Sequence, residues 1–310
     1  MKQQIPVSCL SAAHASSLAH GYTRTARQAH ALRAACLQIA IVAIRSLHVE
    51  IVLFPKPGLV SLVDNGSHAD MNAALFMRSL FSLRHYFISM AHAGARDMVF
   101  GELRVLGMHA EQRMLAATQG VNTHRGAIFA LGMLCAAVGY CHAHARSLSA
   151  ENIRQTLMEQ WGNALKMHSI PSSPSPSNGL RVAHLYAVGG AREEAAKGFP
   201  AVFEIGLPQI LKSLGRNATP SMAQIDALFA LMAYMTDTNI YHRGGAGGAM
   251  LVKLTAQAFI AQGGTAAPEW QDTACACHRL FVSRHLSPGG AADMLAASWF
   301  VFQISASHTR

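Results

Sequence analysis

Along most of this chain apolar residues recur every three or four positions, and no stretch sustains the one-in-two alternation of a half-buried strand. The spacing predicts helices over 31–48, 70–92 (with Leu75, Phe76, Leu80 and Leu83 along one stripe) and 103–118, and another from Thr123 onward. Further helices are expected at about 149–168, 200–214, 221–236, 246–262, 270–285 and 288–304. The last has a marked start, with Ser287 as N-cap, Pro288 at the first helical position and Asp293 early in the helix. The fold class is therefore all-α. Residues 1–28 carry little pattern and stand apart as a candidate mobile segment, leaving 29–310 as one multihelical domain. The Ser/Pro-rich run SIPSSPSPSN begins a surface loop, 169–179. Apolar helices and polar clusters lie on both sides of it, so it reads as a loop within one domain.

The longest apolar run, GAIFALGMLCAAVGYC from Gly126 to Cys141, raises the question of a membrane span. It is shorter than the roughly 20 residues a span requires and contains three glycines, so a buried core helix is the better reading. The N-terminus has one lysine and no continuous apolar segment, unlike a secretory signal, and the protein is expected to be cytoplasmic, with no membrane partner. Half the residues are hydrophobic and 13% are charged, enough apolar material for a large core. None of the six cysteines forms a CxxC pair, which removes zinc-ribbon and thioredoxin readings. The net charge of +9 favours an acidic partner. Its lysines and arginines are scattered rather than gathered in a stripe, and no nucleic-acid motif occurs, so a phosphorylated small molecule is preferred to nucleic acid.

Polar residues gather in four places against this apolar background. The first is FPKPGLVSLVDNGSHADM, residues 54–71. Pro55 and Pro57 hold Lys56 in an extended turn, Asn65-Gly66 signals a tight turn, and Asp64, His68 and Asp70 follow, with Glu50 closing the preceding helix. In the second, Glu111 lies on a helix face with Leu115 and Thr118. Asn122, Thr123, His124 and Arg125 then crowd the start of the most apolar helix, where free N–H groups and the helix dipole favour an anion. The third, GGAREEAAKGFP at 189–200, reads as a solvated helical turn. The fourth, DTNIYHRGGAGG at 237–248, places Asp237, Asn239, His242 and Arg243 before a glycine run that either approaches phosphates or permits close helix packing. It is not a P-loop, because GxxxxGK[ST] is absent. His142 and His144 point about 200° apart on a helix and do not form a ligand pair.

Taken in order, the segments ExxxxPKPGLV (Glu50–Val60), NGSHADM, AEQRMLAATQGVNTHRGAIF, GGAREEAAKGFP, DTN followed by RGG, and SPGGAADMLA (Ser287–Ala296) resemble the triphosphoribosyl-dephospho-CoA synthase family. The resemblance runs from about 31 to 304, and FMRSLFSLRHYF and VNTHRGAIF are more similar to its malonate decarboxylase branch than to its citrate lyase branch. It implies a transferase that uses ATP as substrate, releases adenine and joins the 5-triphosphoribosyl group to the 2′-hydroxyl of 3′-dephospho-CoA. The product would be the prosthetic-group precursor that a separate transferase attaches to an acyl carrier subunit. The family's α-linked product implies inversion at C1″, a direct displacement through an oxocarbenium-like state. Such a reaction needs a carboxylate base, a donor to the leaving purine and a cationic triphosphate site, with Mg²⁺ expected. Asp70, Glu111 and Asp237 are the candidate base or metal carboxylates, with Glu50 and Asp64 next. Lys56, Arg125 and Arg243, aided by the helix start at Thr123, are the candidate phosphate partners. His68 or His124 would serve the leaving group, and Asn122 and Asn239 the ribose hydroxyls, with Asn65 on the substrate-binding loop. One position departs from the family pattern: Ser177-Asn178-Gly179 stands where Ser-His-Gly is usual. The other function classes considered are a metal-dependent ADP-ribosyl hydrolase, which would transfer to water, and a non-catalytic nucleotide or nucleic-acid binder.

Overall fold

A computed structural model describes residues 8–169 and 190–307, with side chains from Gln28 onward. Among these residues all regular structure is helical. Twelve α-helices follow in order: α1 (Ser8–Val52), α2 (Ala73–Ser82), α3 (Arg84–Gly94), α4 (Phe100–Ala117), α5 (Arg125–Ala143), α6 (Ala150–Ser169), α7 (Ala191–Ala196), α8 (Leu207–Leu214), α9 (Pro220–Tyr234), α10 (Thr238–Ala261), α11 (Trp270–Ser283) and α12 (Gly289–Ala306). A π-helical turn, Ala201–Gly206, leads into α8, and a 3₁₀ turn, Gly264–Ala266, precedes α11.

The predicted elements appear with informative differences. Helix α1 begins well before residue 31, so Ser8–Gln28 continues it as helix despite its weak pattern. The helix expected over 70–92 is two, parted at Leu83, and it starts after Asn72, whose Oδ1 accepts from the Leu75 N–H at 2.9 Å. Asp70 therefore lies outside it. The helix expected over 200–214 opens as a π turn. Residues 238–244 are already helical before a break at Gly245 (φ 59°), after which α10 resumes where the pattern placed it. The Ser/Pro run beyond Ser169, with Asn178, lies outside the described residues.

Helix α5 is the hub. Thirteen of its nineteen residues are buried, because α1, α3, α6 and α12 all pack around it. It and the stretch Gln28–Val52 are long and apolar enough to cross a membrane by length and composition; α5 is instead enclosed within the fold. A Cβ on Gly139 would fall 2.1 Å from the Ala91 carbonyl oxygen, so α3 and α5 cross backbone to backbone. Buried side chains from all twelve helices join in one continuous core running from Cys36 to Ile304. The described cysteines are free thiols, and all but Cys275 are buried.

Candidate active site

The loop after α1 reaches its place by gripping the far end of the chain. Ser67 Oγ donates to the Leu286 carbonyl at 2.6 Å, and the ring nitrogens of His278 meet the Lys56 carbonyl at 2.8 Å and Asp64 Oδ2 at 2.9 Å. Asp64 Oδ1 accepts from the Gly66 N–H at 2.7 Å, and Gly66 has φ 57°, so the tight turn forms as the Asn-Gly pair predicts. Asn65 is exposed, and its carbonyl closes the same turn on the His68 N–H. Lys56 is not presented to solvent as expected. It is 1% exposed and turns back on α1, where Nζ donates to Glu50 Oε1 and to the Glu50 carbonyl, each at 2.6 Å. Burial lowers its pKa, and the Glu50 carboxylate opposes that shift.

Two helix starts anchor the acidic side of the site. Neither Ser287 nor another local side chain caps α12; instead Asp237 reaches across, its Oδ2 accepting from the Gly290 N–H at 2.7 Å and the Ala291 N–H at 3.4 Å. Its Oδ1 caps α10 through the Asn239 N–H at 2.8 Å. At the α5 start the Asp293 carboxylate of α12 lies against Gly126, close enough for the Ala127 N–H to oppose the rise in its pKa. A Cβ on Gly126 would lie 2.0 Å from Asp293 Oδ2, so only glycine leaves room for that carboxylate. Burial raises the Asp237 pKa, with the amide bonds opposing. Asp293 is pushed well above the usual carboxylate range by burial first, then by the charges of Asp237 and Glu50.

His124 completes this group at the mouth of α5. It is 3% exposed, and burial together with the nearby Lys56 ammonium pushes its pKa down to about 3, so the ring is neutral. Glu50, Lys56, His124, Asp237 and Asp293 thus act on one another electrostatically from four separated segments. At the rim, Arg243 donates to the Ser67 carbonyl and to His68 Nδ1, each at 2.9 Å. A guanidinium only donates, so His68 Nε2 carries the proton and donates to Ser287 Oγ at 2.8 Å. Burial and Arg243 lower the His68 pKa to about 4.

Other predicted residues stand apart from that group. Asp70 is exposed and lies 3.8 Å from His68. Glu111 forms an ion pair with Arg125 instead of meeting Asp70 or Asp237. Asn122 Oδ1 accepts from the Arg125 N–H at 3.2 Å, and α5 begins at Arg125, later than a Thr123 cap would place it. The Asn239 amide abuts Gly289. Within the glycine run, Gly244 and Gly248 make room for the Leu286 side chain, so these two serve packing. Among the described residues no three His, Cys, Asp or Glu side chains are arranged to hold a metal ion, and Glu50, Asp70, Glu111 and Asp237 do not converge as a ligand set. Asp293, Ser79, His278 and Ser287 were not singled out for chemistry from sequence. For Asp293 the available signal was its place three residues after the glycine pair of SPGGAADM, read there as ordinary helix-start composition.

The family model described as ATP:dephospho-CoA triphosphoribosyl transferase matches residues 36–310. A protein of Acinetobacter calcoaceticus named "Probable 2-(5''-triphosphoribosyl)-3'-dephosphocoenzyme-A synthase" is 38% identical over 86% of this chain and 91% of its own length. A Pseudomonas aeruginosa protein of the same name is 39% identical over the same shares. The "2-(5''-triphosphoribosyl)-3'-dephosphocoenzyme-A synthase" of Pectobacterium atrosepticum is 33% identical over 83% of this chain and 86% of its own. No solved structure matches. Every segment that builds the buried charged group lies within the matched region, and the chain belongs to the ATP:dephospho-CoA triphosphoribosyl transferase family.

Proposed function

We propose that this transferase moves the 5-triphosphoribosyl group of ATP onto the 2′-hydroxyl of 3′-dephospho-CoA, releasing adenine, and that its product serves the acyl carrier subunit of malonate decarboxylase. The observation that carries the reading is the meeting of Glu50, Lys56, His124, Asp237 and Asp293 at the starts of α5 and α12. Asp293 is the proposed base. Burial first, then the charges of Asp237 and Glu50, raise its proton affinity, and neither the Lys56 ammonium nor an arginine pairs with it among the described contacts. It would accept the 2′-hydroxyl proton as that oxygen bonds to C1″; the C1″–N9 bond breaks, its electron pair leaves with adenine, and the leaving purine takes a proton from water, to which Asp293 returns the one it accepted. Asp237 positions α10 and α12, since amides occupy both its oxygens. Arg125 and Arg243 at the rim receive the triphosphate. Mg²⁺ would enter as the counter-ion of the ATP phosphates, and no step here depends on it.

The malonate assignment draws on the segments FMRSLFSLRHYF and VNTHRGAIF. The test is adenine release from ATP by the purified protein, followed by chromatography with and without 3′-dephospho-CoA. Release that requires the acceptor, with a conjugate of matching mass, supports the transfer. Release without it points to a hydrolase, and none under either condition removes the reading. Transfer of the product onto purified malonate decarboxylase or citrate lyase carrier subunit, by the matching attachment enzyme, decides the branch.

A further inference from the structure

Beside the acidic group runs a short polar wire that the proposed chemistry has not used. Ser79 on α2 is fully buried, and its Oγ meets His124 Nδ1 at 2.6 Å. Thr123 Oγ1 donates to the same Ser79 Oγ at 2.7 Å. No other acceptor for the Ser79 hydroxyl occurs among the described hydrogen bonds, so it gives its proton to Nδ1, which leaves the ring proton on Nε2. That Nε2 is enclosed and has no hydrogen-bond partner. A buried donor left unmatched in a polar wire is costly unless a ligand supplies the acceptor. Phe76 packs edge-on against the ring, centroids 5.0 Å apart, and is itself partly exposed.

We propose that Ser79 and Thr123 are positioning residues that hold His124 in its Nε2–H form, so that this N–H donates a hydrogen bond to a purine nitrogen as adenine leaves. The ring donates without giving up its proton, as a neutral imidazole does when it polarises a developing negative charge. Phe76 swings aside to admit the purine. The acceptor's identity rests on the proposed transfer reaction; the tautomer does not, and the two are tested separately.

In protein labelled with [¹⁵N]histidine, the His124 signals are assigned by their loss in His124→Gln. Free protein is expected to show protonated Nε2 and unprotonated Nδ1, and Ser79→Ala or Thr123→Val to give a mixture of tautomers. An Nδ1–H ring in the wild type, or one unmoved in both variants, overturns the wire whatever the reaction. Adenine should shift the Nε2 signal and inorganic tripolyphosphate should not; the opposite result overturns the purine assignment. In turnover, Ser79→Ala should lower kcat about tenfold or more with little change in KM, as mis-set tautomers do. Gln places an amide near the Nε2 position, so His124→Gln should retain part of the activity and be indifferent to a second Ser79→Ala change. Full additivity of the two substitutions overturns the coupling.

Discussion

A lysine and a glutamate six residues apart, both nearly sealed from water, define the chemistry at the scale of single residues. Removing one partner strands the other charge, so Lys56→Met should cost about 3–5 kcal/mol in urea unfolding. Adding Glu50→Leu should recover much of that loss while adenine release stays absent in both variants. Asp293 behaves in the opposite sense. Folded, it keeps its proton above the pH at which the unfolded chain releases it, so its contribution to stability is present below the ordinary carboxylate pKa and is lost as pH rises through the folded value. Asp293→Asn should therefore gain stability relative to the wild type as pH rises, while kcat falls at least about 10²-fold. Denaturant titrations at several pH values, run beside adenine-release assays, check both halves. A variant that is less stable at neutral pH and fully active would remove Asp293 from the chemistry.

At the scale of elements, the three glycines of the apolar run do three different jobs. Gly126 makes room for the Asp293 carboxylate, Gly132 for the Tyr86 hydroxyl and Gly139 for the α3 backbone. An alanine at 126 meets the end of a side chain that can turn away, whereas at 139 it meets a carbonyl that cannot. Gly126→Ala should thus leave the melting temperature almost unchanged, helped by up to about 1 kcal/mol of helix propensity, and lower kcat sharply. Gly139→Ala should cost about 1–3 kcal/mol or more, with kcat kept in the folded fraction. The α5 helix itself was legible, because a long apolar run between capping residues permits little else. Its glycines were legible only as reasons against a span. The α12 cap was misread for a definite reason: Asp237 caps a helix to which it does not belong, and local sequence carries no trace of a partner about 50 residues away.

Across the whole molecule, acid should loosen this fold through its buried histidines. His124 and His68 are held near pKa 3 and 4 against an ordinary 6.5, so the unfolded chain binds protons that the folded one refuses. Stability is lost as pH falls below about 6.5, by about 2 kcal/mol for each ring at pH 5. The raised carboxyls of Asp237 and Asp293 act the other way and soften the decline. Urea midpoints at pH 7 and pH 5 should separate clearly, and His68→Gln should narrow the gap. At this scale the sequence reading succeeded with the motif segments and failed with pairings. It placed Lys56, His124 and Asp237 in polar clusters together with Asp70 and Glu111, but type and spacing do not say that Asp70 is exposed or that Glu111 pairs with Arg125. The loop after α1 is set by contacts more than 200 residues distant, such as Ser67 with Leu286, which no local pattern encodes.

The borrowed cap of α12 also sets a clock. Amides in the first turn of a helix lack a carbonyl within it and normally exchange with deuterium first. Here those of Gly290 and Ala291 are held by the buried Asp237 carboxylate from elsewhere in the chain, and they exchange only when α12 parts from α10. Protection at those two positions measures how often the proposed catalytic group comes apart, and a nucleotide that binds across it should slow both together.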